Sequence, residues 1–122
     1  MYENLTLFQT ASAFARHAEK RQALAAQNIA NADTPGFKPR DLKDFAQSFR
    51  EMQRQSGENG FSGHRTAFEA VQDERTAAAP NGNAVSVETE MMRAVDIRLQ
   101  HDTALAIYRS ALGILRTSLG RQ

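Results

Sequence analysis

The sequence has 122 residues and a net charge of +1, from 15 Lys and Arg against 14 Asp and Glu, which leaves room for one domain of ordinary size. Alanine accounts for 20 residues and Leu, Ile, Val and Phe together for only 24, near the lower limit for an independent core. The lack of cysteine excludes disulfides, thiolate catalysis and cysteine-ligated metals, and the balanced charge argues against nucleic-acid binding. We therefore expect a core completed by partner molecules.

Motifs for metals, cofactors and membrane insertion are also missing from the sequence. His17, His64 and His101 lie too far apart for the usual spacing of metal ligands. No apolar run is long enough to span a membrane, and the first residues lack the basic and apolar regions of a cleaved secretory signal. We expect no cofactor, no bound metal and no membrane span.

Residues 5–31 contain neither Gly nor Pro and carry small or apolar side chains at alternating spacings of three and four residues. This spacing predicts one long amphipathic helix. Alanine dominates its face, so a partner helix can approach closely. The predicted face includes Leu7, Phe8, Ala11, Phe14, Ala18, Ala25, Asn28 and Ile29.

A stop signal follows this helix. Pro35 disfavours the α conformation at Thr34, so the helix is expected to end by Asp33. The dipeptide Pro35-Gly36 suits the two central positions of a type II turn, of which the second requires a positive φ angle.

Three side chains near this stop are candidates for a specific contact. The amides of Asn28 and Asn31 lie in the last turns, where they can bond freed backbone carbonyls or a neighbouring subunit. Phe37 either covers the helix end or enters a neighbour's groove. From the residues alone, a plain helix stop and an interface element both remain open.

The middle of the chain holds all three prolines and five of the seven glycines. Apolar spacing predicts a short helix over 41–54, with Leu42, Phe45, Phe49 and Met52 on one face. We expect a loop over 56–63, a short strand or extended segment over 68–71, and a linker over 76–84 with a turn at Asn81-Gly82.

A second, longer helix is predicted over 86–119, with Ser86 as its N-cap. Arg98 and His101 interrupt its apolar stripe, either as core polar groups that set the register or as markers of a different environment. The stripe consists of Val87, Met91, Ala94, Arg98, His101, Leu105, Tyr108, Leu112, Leu115 and Leu119.

These patterns predict a mainly α fold in which the long N- and C-terminal helices pair as a coiled-coil-like layer. Residues 1–37 and 86–122 would form one joint helical domain, and residues 38–85 a short irregular segment. The first helix is expected to pack against Met91, Val95, Leu105, Tyr108, Leu112, Leu115 and Leu119, and neighbouring copies to complete both faces.

Two strings of residues resemble a known family. Residues 26–38 (AQNIANADTPGFK) closely resemble the signature of the bacterial flagellar rod and hook axial proteins. Residues 81–92 (NGNAVSVETEMM) resemble the start of the C-terminal helix in the short proximal rod subunits of that family. The resemblance covers about 70 residues at the two ends of the chain.

The resemblance implies a structural, non-enzymatic component of the proximal rod, part of the hollow shaft that transmits torque and supports motility. It implies assembly with copies of itself and other rod proteins, next to the basal-body base and the export apparatus in the periplasmic space. It also implies type III export without a cleaved signal. An alternative is a small soluble helical adaptor for one partner helix; an enzyme or a DNA-binding protein fits less well.

Overall fold

The computed structural model describes residues 2–59, 68–73 and 77–120 and is mainly helical. Two long helices carry most of the chain, and a short helix and a two-stranded sheet lie between them in sequence. The elements are α1 (Tyr2–Ala30), β1 (Arg40–Leu42), α2 (Phe45–Asn59), β2 (Ala70–Gln72) and α3 (Val87–Gly120).

Helices α1 and α3 pack side by side in opposite directions. Phe8, early in α1, meets the ring of Tyr108 late in α3, while Asn28 at the end of α1 bonds Glu90 at the start of α3. The predicted pairing of the two long helices is thus confirmed.

The seam between the two helices is built mainly from alanine side chains. On each helix the buried positions recur every seventh residue, as in coiled coils. Because alanine lacks atoms beyond Cβ, the two backbones can approach closely. The seam residues are Ala11, Ala18 and Ala25 of α1 and Ile97, Ala104 and Ala111 of α3.

The middle segment packs on a second face of α1. Strands β1 and β2 pair antiparallel, with Leu42 opposite Ala70, which confirms the expected short strand. A cluster of Ala13, Leu24, Leu42 and Phe68 forms the core there, and Phe45, Phe49 and Met52 pack against it.

The predicted bounds of the short helix are wrong at both ends. Residues 41 and 42 belong to β1, because Leu42 is buried in the cluster and its backbone pairs with β2. The helix begins at Phe45 and continues to Asn59, so 56–59 are helical and not part of a loop. The rest of the expected loop, 60–63, lies outside the described residues.

The predicted register of α3 is wrong in its first half. Met91 is 62% exposed and Val95 72% exposed, so neither packs against α1. Buried Glu90 and Ile97 face α1 instead, because a buried polar cluster and the alanine seam bring that side of the helix to its partner.

Arg98 is also not a core polar group, since its side chain is 83% exposed and pairs with Asp102. In the second half of α3, Leu112 and Leu115 of the predicted stripe are half-buried. Leu119 is 64% exposed, so the prediction that it packs against α1 is wrong. No helix in the described part of the chain has a stretch long and apolar enough to cross a membrane.

Candidate functional site

The turn after α1 has the predicted geometry. The N–H of Phe37 donates to the carbonyl of Thr34 at 3.2 Å, and Gly36 has a φ of +75°. These values confirm a type II turn with Pro35 and Gly36 at its centre. The side-chain amide of Asn31 donates to the carbonyl of Gln27 at 2.8 Å. It therefore bonds a backbone carbonyl at the end of the helix, which is one of the two partners predicted for it.

The segment that leads into α3 docks on this turn. Gly36 donates its N–H to the carbonyl of Asn81 at 3.0 Å, and Ala84 donates its N–H to the carbonyl of Phe37 at 2.9 Å. These bonds join the two strings that carry the family resemblance into one unit. We call residues 28–37 together with residues 81–90 the helix-end junction.

Asn83 holds the two halves of the helix-end junction together. Its side-chain amide donates to the carbonyl of Asn31 at 2.8 Å and to that of Thr34 at 2.6 Å. Its Oδ1 accepts the N–H of Val85 at 2.8 Å. Because Asn83 is buried, water cannot replace these hydrogen bonds unless the surrounding structure rearranges.

Two glycines make the close approach possible. A Cβ added at Gly82 would lie 3.2 Å from the Cα of Gly36, and Gly82 itself has a φ of +83°. A side chain at this position would meet both steric crowding and backbone strain.

Asn28 joins α1, β1 and α3. Its amide behaves like a peptide group towards Arg40: the Oδ1 accepts the Arg40 N–H at 3.0 Å, and the Nδ2 donates to the Arg40 carbonyl at 2.9 Å. The same Nδ2 donates to Oε1 of Glu90 at 3.1 Å. Because Asn28 is only 1% exposed, this polar contact is fully internal.

A cluster of charges lies beside Asn28. Arg93 of α3 donates to Oε1 of Glu90 at 2.6 Å, lies 3.3 Å from Oδ2 of Asp41, and also pairs with Asp73. Arg21 of α1 binds the other side of Asp41 at 3.2 Å. One charge cluster therefore connects α1, α3, β1 and the residue that follows β2.

Glu90 is the most constrained member of this cluster. Burial raises its pKa above the ordinary value, and the neighbouring Arg93 opposes that rise. Its Oε2 is buried and has no hydrogen-bond partner among the described residues. Removing Arg93 would leave the buried carboxylate without its main compensation.

His17 forms a second buried polar bridge. Its Nε2–H donates to the carbonyl of Lys43 at 2.8 Å, while its Nδ1 accepts from the side-chain amide of Gln100 at 2.8 Å. Burial lowers the pKa of His17, which matches a neutral ring that uses one nitrogen as donor and the other as acceptor.

The predicted site residues fall into four groups in the structure. Ala11, Ala18, Ala25 and Asn28 are buried, and the first three lie in the alanine seam. Asn31 and Phe37 lie in the helix-end junction and are half-buried, whereas Thr34, Pro35 and Gly36 of that junction are exposed. Half-buried residues along the helix pair are Leu7, Phe8, Phe14, Leu112 and Leu115. More than a third exposed are Ile29, Met91, Val95, Leu105, Tyr108 and Leu119.

The sequence interpretation missed the polar centre of this site. Glu90 and Arg93 of α3 and Asp41 of β1 were not predicted to form a buried cluster, and Asn83 was noted only as part of a motif. One local signal existed, because Glu90 precedes Ile97, Ala104 and Ala111 at steps of seven residues.

Comparison with known proteins identifies the family. The family model described as flagella basal body rod protein matches residues 10–38. The flagellar basal body rod protein FlgB of Aeromonas hydrophila is 34% identical over 113 residues, which cover 84% of this chain and 85% of the relative.

Two further relatives carry the same name. FlgB of Salmonella typhimurium is 33% identical over 108 residues, covering 76% of this chain and 78% of the relative. FlgB of Proteus mirabilis is 46% identical over a shorter stretch of 61 residues, covering 50% of this chain and 39% of the relative. The chain therefore belongs to the FlgB family of flagellar basal body rod proteins, and it is a structural component of the rod.

Proposed function

We propose that this chain is a subunit of the proximal part of the rod and that its role is purely structural, without catalysis. It assembles with copies of itself and with other rod proteins into the hollow shaft that transmits torque. The observation that carries this proposal is the outer side of α3. Large apolar residues there are more than half exposed although the helix is long and regular: Met91, Met92, Val95 and Leu99.

Exposed apolar residues at helical spacing favour coverage by neighbouring helices. A contiguous patch of this kind on a small protein is typical of an interaction surface. Among the predicted site residues, we propose that the exposed ones contact neighbouring subunits. The buried ones would fix the positions of the two helices on which the exposed residues lie. The proposed contact residues are Ile29, Met91, Val95, Leu105, Tyr108 and Leu119.

We assign a positioning role to the helix-end junction. It fixes where the middle segment leaves α1, through Asn83 and the turn at Gly36. A subunit under load needs its two long helices to keep one relative position, and the buried bonds of Asn28 and Asn83 oppose sliding. Torque would be carried by many modest contacts acting in parallel.

Export and location are further parts of the proposal. We propose that the chain passes unfolded through the flagellar type III export apparatus without a cleaved signal and occupies the rod in the periplasmic space. Contacts with the adjoining basal-body base and with the export apparatus would follow from that position. Two features support this proposal. The chain has no disulfide that would resist unfolding, and its two long helices meet along a seam of mainly small side chains.

Genetic deletion with complementation tests the proposed function. A strain lacking the gene should not swim, and the wild-type gene should restore swimming. Basal bodies purified from the complemented strain should contain the chain in the proximal shaft by electron microscopy. A swimming deletion strain, or a chain that stays soluble and absent from basal bodies, would favour the small helical adaptor instead.

A further inference from the structure

Asn81 and Gly82 form a dipeptide that is chemically labile. Glycine has no side chain to shield its backbone nitrogen. That nitrogen can therefore attack the side-chain amide carbon of a preceding asparagine, a residue type that limits thermal durability in proteins. Two of the six asparagines in the chain precede glycine, Asn59 and Asn81. Of these two, Asn81 lies in the helix-end junction.

The reaction exchanges an amide for a carboxylate. The backbone nitrogen of Gly82 loses its proton and bonds to Cγ of Asn81, and the side-chain nitrogen takes up a proton and leaves as ammonia. Water then opens the resulting succinimide ring, adding hydroxyl to one ring carbonyl and hydrogen to the nitrogen. Opening at Cγ gives aspartate. Opening at the main-chain carbonyl gives isoaspartate, whose backbone runs through Cβ and Cγ and is one methylene longer.

The folded junction holds the three groups that ring closure must move. The N–H of Gly82, which contains the attacking nitrogen, donates to the carbonyl of Ala79 at 2.8 Å. The Oδ1 of Asn81, on the carbon under attack, accepts the N–H of Asn83 at 3.0 Å. The main-chain carbonyl of Asn81 accepts the N–H of Gly36 at 3.0 Å. Ring closure breaks the first bond and rotates the groups that make the other two.

Hydrogen bonds, and not burial, protect Asn81. Its side chain is exposed, so water reaches it in the folded chain as well. The protecting bonds exist only while the segment before α3 is docked on the turn after α1. Buried Asn83 keeps that segment docked through its bonds to Asn31 and Thr34. An unfolded chain has none of these bonds.

We propose that Asn81 is a deamidation site that reacts when the chain is unfolded and that the helix-end junction protects when the chain is folded. This reaction is a property of the chain itself and does not depend on the rod assignment. Its biological consequence rests on the proposed function, because a subunit kept unfolded before export would accumulate altered Asn81 in proportion to the time that it waits.

The two products have different consequences for the junction. Aspartate keeps an oxygen at the position of Oδ1, so it still accepts the N–H of Asn83. Isoaspartate lengthens the backbone before Gly82 and turns the main-chain carbonyl that bonds Gly36 into a carboxylate outside the backbone. The longer chain cannot keep this bond and the turn over 79–82 in their present positions together. The isoaspartyl product should therefore close the junction poorly.

Peptide mapping by mass spectrometry measures deamidation in the purified full chain. The chain is incubated in mildly alkaline buffer, and in the same buffer with guanidinium chloride as the unfolded reference. Asn59, also followed by glycine, is the matched control in the denaturant, and the two asparagines should react there at similar rates. In native buffer Asn81 should react about tenfold more slowly or less, since the reaction then requires local opening of the junction.

Two variants separate local protection from general stability. Asn83→Ala removes the side chain that docks the segment before α3. It should raise the rate at Asn81 in native buffer by about fivefold or more, the change that corresponds to losing one buried hydrogen bond. Gln47→Ala, on the exposed side of α2, should leave the rate unchanged. Circular dichroism verifies that both variants remain helical, and both should match the wild-type rate in guanidinium chloride.

The products are compared in an Asn59→Asp background, in which Asn81 is the remaining asparagine before glycine. Chain aged in denaturant is refolded, and its isoaspartyl fraction is separated by chromatography and identified with an isoaspartyl methyltransferase. The added Asn81→Asp variant should melt like its parent. The isoaspartyl chain should melt about 4 °C lower or more, because it loses a backbone hydrogen bond of the junction.

Three results would overturn the proposal: Asn81 that reacts as fast in the folded chain as in denaturant, Asn81 that stays intact in denaturant while Asn59 reacts, or a native rate that Asn83→Ala leaves unchanged. An isoaspartyl chain that melts like the Asn81→Asp variant would overturn the effect assigned to that product. None of these measurements involves flagella, so their failure leaves the rod assignment standing. A chain absent from basal bodies would remove the rod assignment and leave this chemistry standing.

Discussion

Asn83 reaches from the segment before α3 to the last turn of α1 and donates its side-chain amide to the carbonyl of Asn31 at 2.8 Å. The two residues are 52 positions apart in the sequence, yet this bond and its companion to Thr34 fasten the ends of the two long helices. A single buried amide thereby couples the two strings that identify the family.

Replacing Asn83 with alanine should destabilise the chain by about 1–3 kcal/mol, because two carbonyls lose their donor in a buried position. Urea denaturation followed by circular dichroism measures this change. Gln47→Ala, on the exposed side of α2, is the control and should stay within about 0.5 kcal/mol of the wild type. Equal stability of the two variants would contradict the role given to Asn83.

Glycine substitutions should separate strain from helix propensity. Gly82→Ala combines a positive φ angle with a contact of 3.2 Å to the Cα of Gly36, and should cost more than about 1 kcal/mol. Gly113→Ala lies within α3 with nothing near its added Cβ, and should stabilise the helix by about 0.5–1 kcal/mol. Thermal melting should therefore shift in opposite directions for these two variants.

The alanine seam should not tolerate a larger residue. Ala104 is 1% exposed and faces α1, so Ala104→Leu should force the helices apart and cost about 1–3 kcal/mol. Ala106 lies two residues further on the exposed side of α3. The same change there should be nearly neutral, and a similar loss at both positions in urea denaturation would count against a close seam.

Acid should weaken the contribution of His17. Its folded-state pKa lies below the ordinary value of 6.5 because the ring is buried. Just below pH 6.5, therefore, His17 is protonated in the unfolded chain but stays neutral in the folded chain. The stability that His17 contributes is complete above pH 6.5 and declines as the pH falls towards its lowered folded pKa. The wild type's advantage over His17→Gln in free energy of unfolding should shrink over this window; a constant advantage would refute the assignment.

Glu90 should have the opposite pH dependence. Its folded-state pKa lies above 4.5 because the carboxyl is buried, so the folded chain takes up the proton first as the pH falls. The wild type should gain in free energy of unfolding relative to Glu90→Gln as the pH is lowered towards 4.5, and lose that gain as the pH rises through the folded pKa. Urea denaturation of both proteins at a series of pH values measures the difference in their free energies of unfolding. This difference would not change with pH in this range if the carboxylate were exposed to solvent.

The first helix and its stop could be predicted because their signals are local. Spacings of three and four residues place Ala11, Ala18 and Ala25 on one face, and all three are buried. Likewise Pro35-Gly36 is sufficient to specify a type II turn, since only these two residues set its dihedral angles.

The register of α3 and the polar cluster could not be predicted in the same way. The usual rule turns the largest apolar residues inward, but Met91 and Val95 face outward and Glu90 faces inward. Glu90 is stabilised there by Arg93 and by Asn28, of which Asn28 lies 62 positions away in the sequence. Local periodicity contains no information on such a partner, and it cannot distinguish a face that packs within the chain from one left for other molecules.

Electron cryo-microscopy of purified basal bodies would show whether this chain lies in the proximal rod and what covers α3. We expect density for the chain in the proximal shaft, with Met92, Val95 and Leu99 packed under a helix of an adjoining subunit. Density for the chain elsewhere, or a proximal subunit whose α3 leaves these three residues open to solvent, would contradict it.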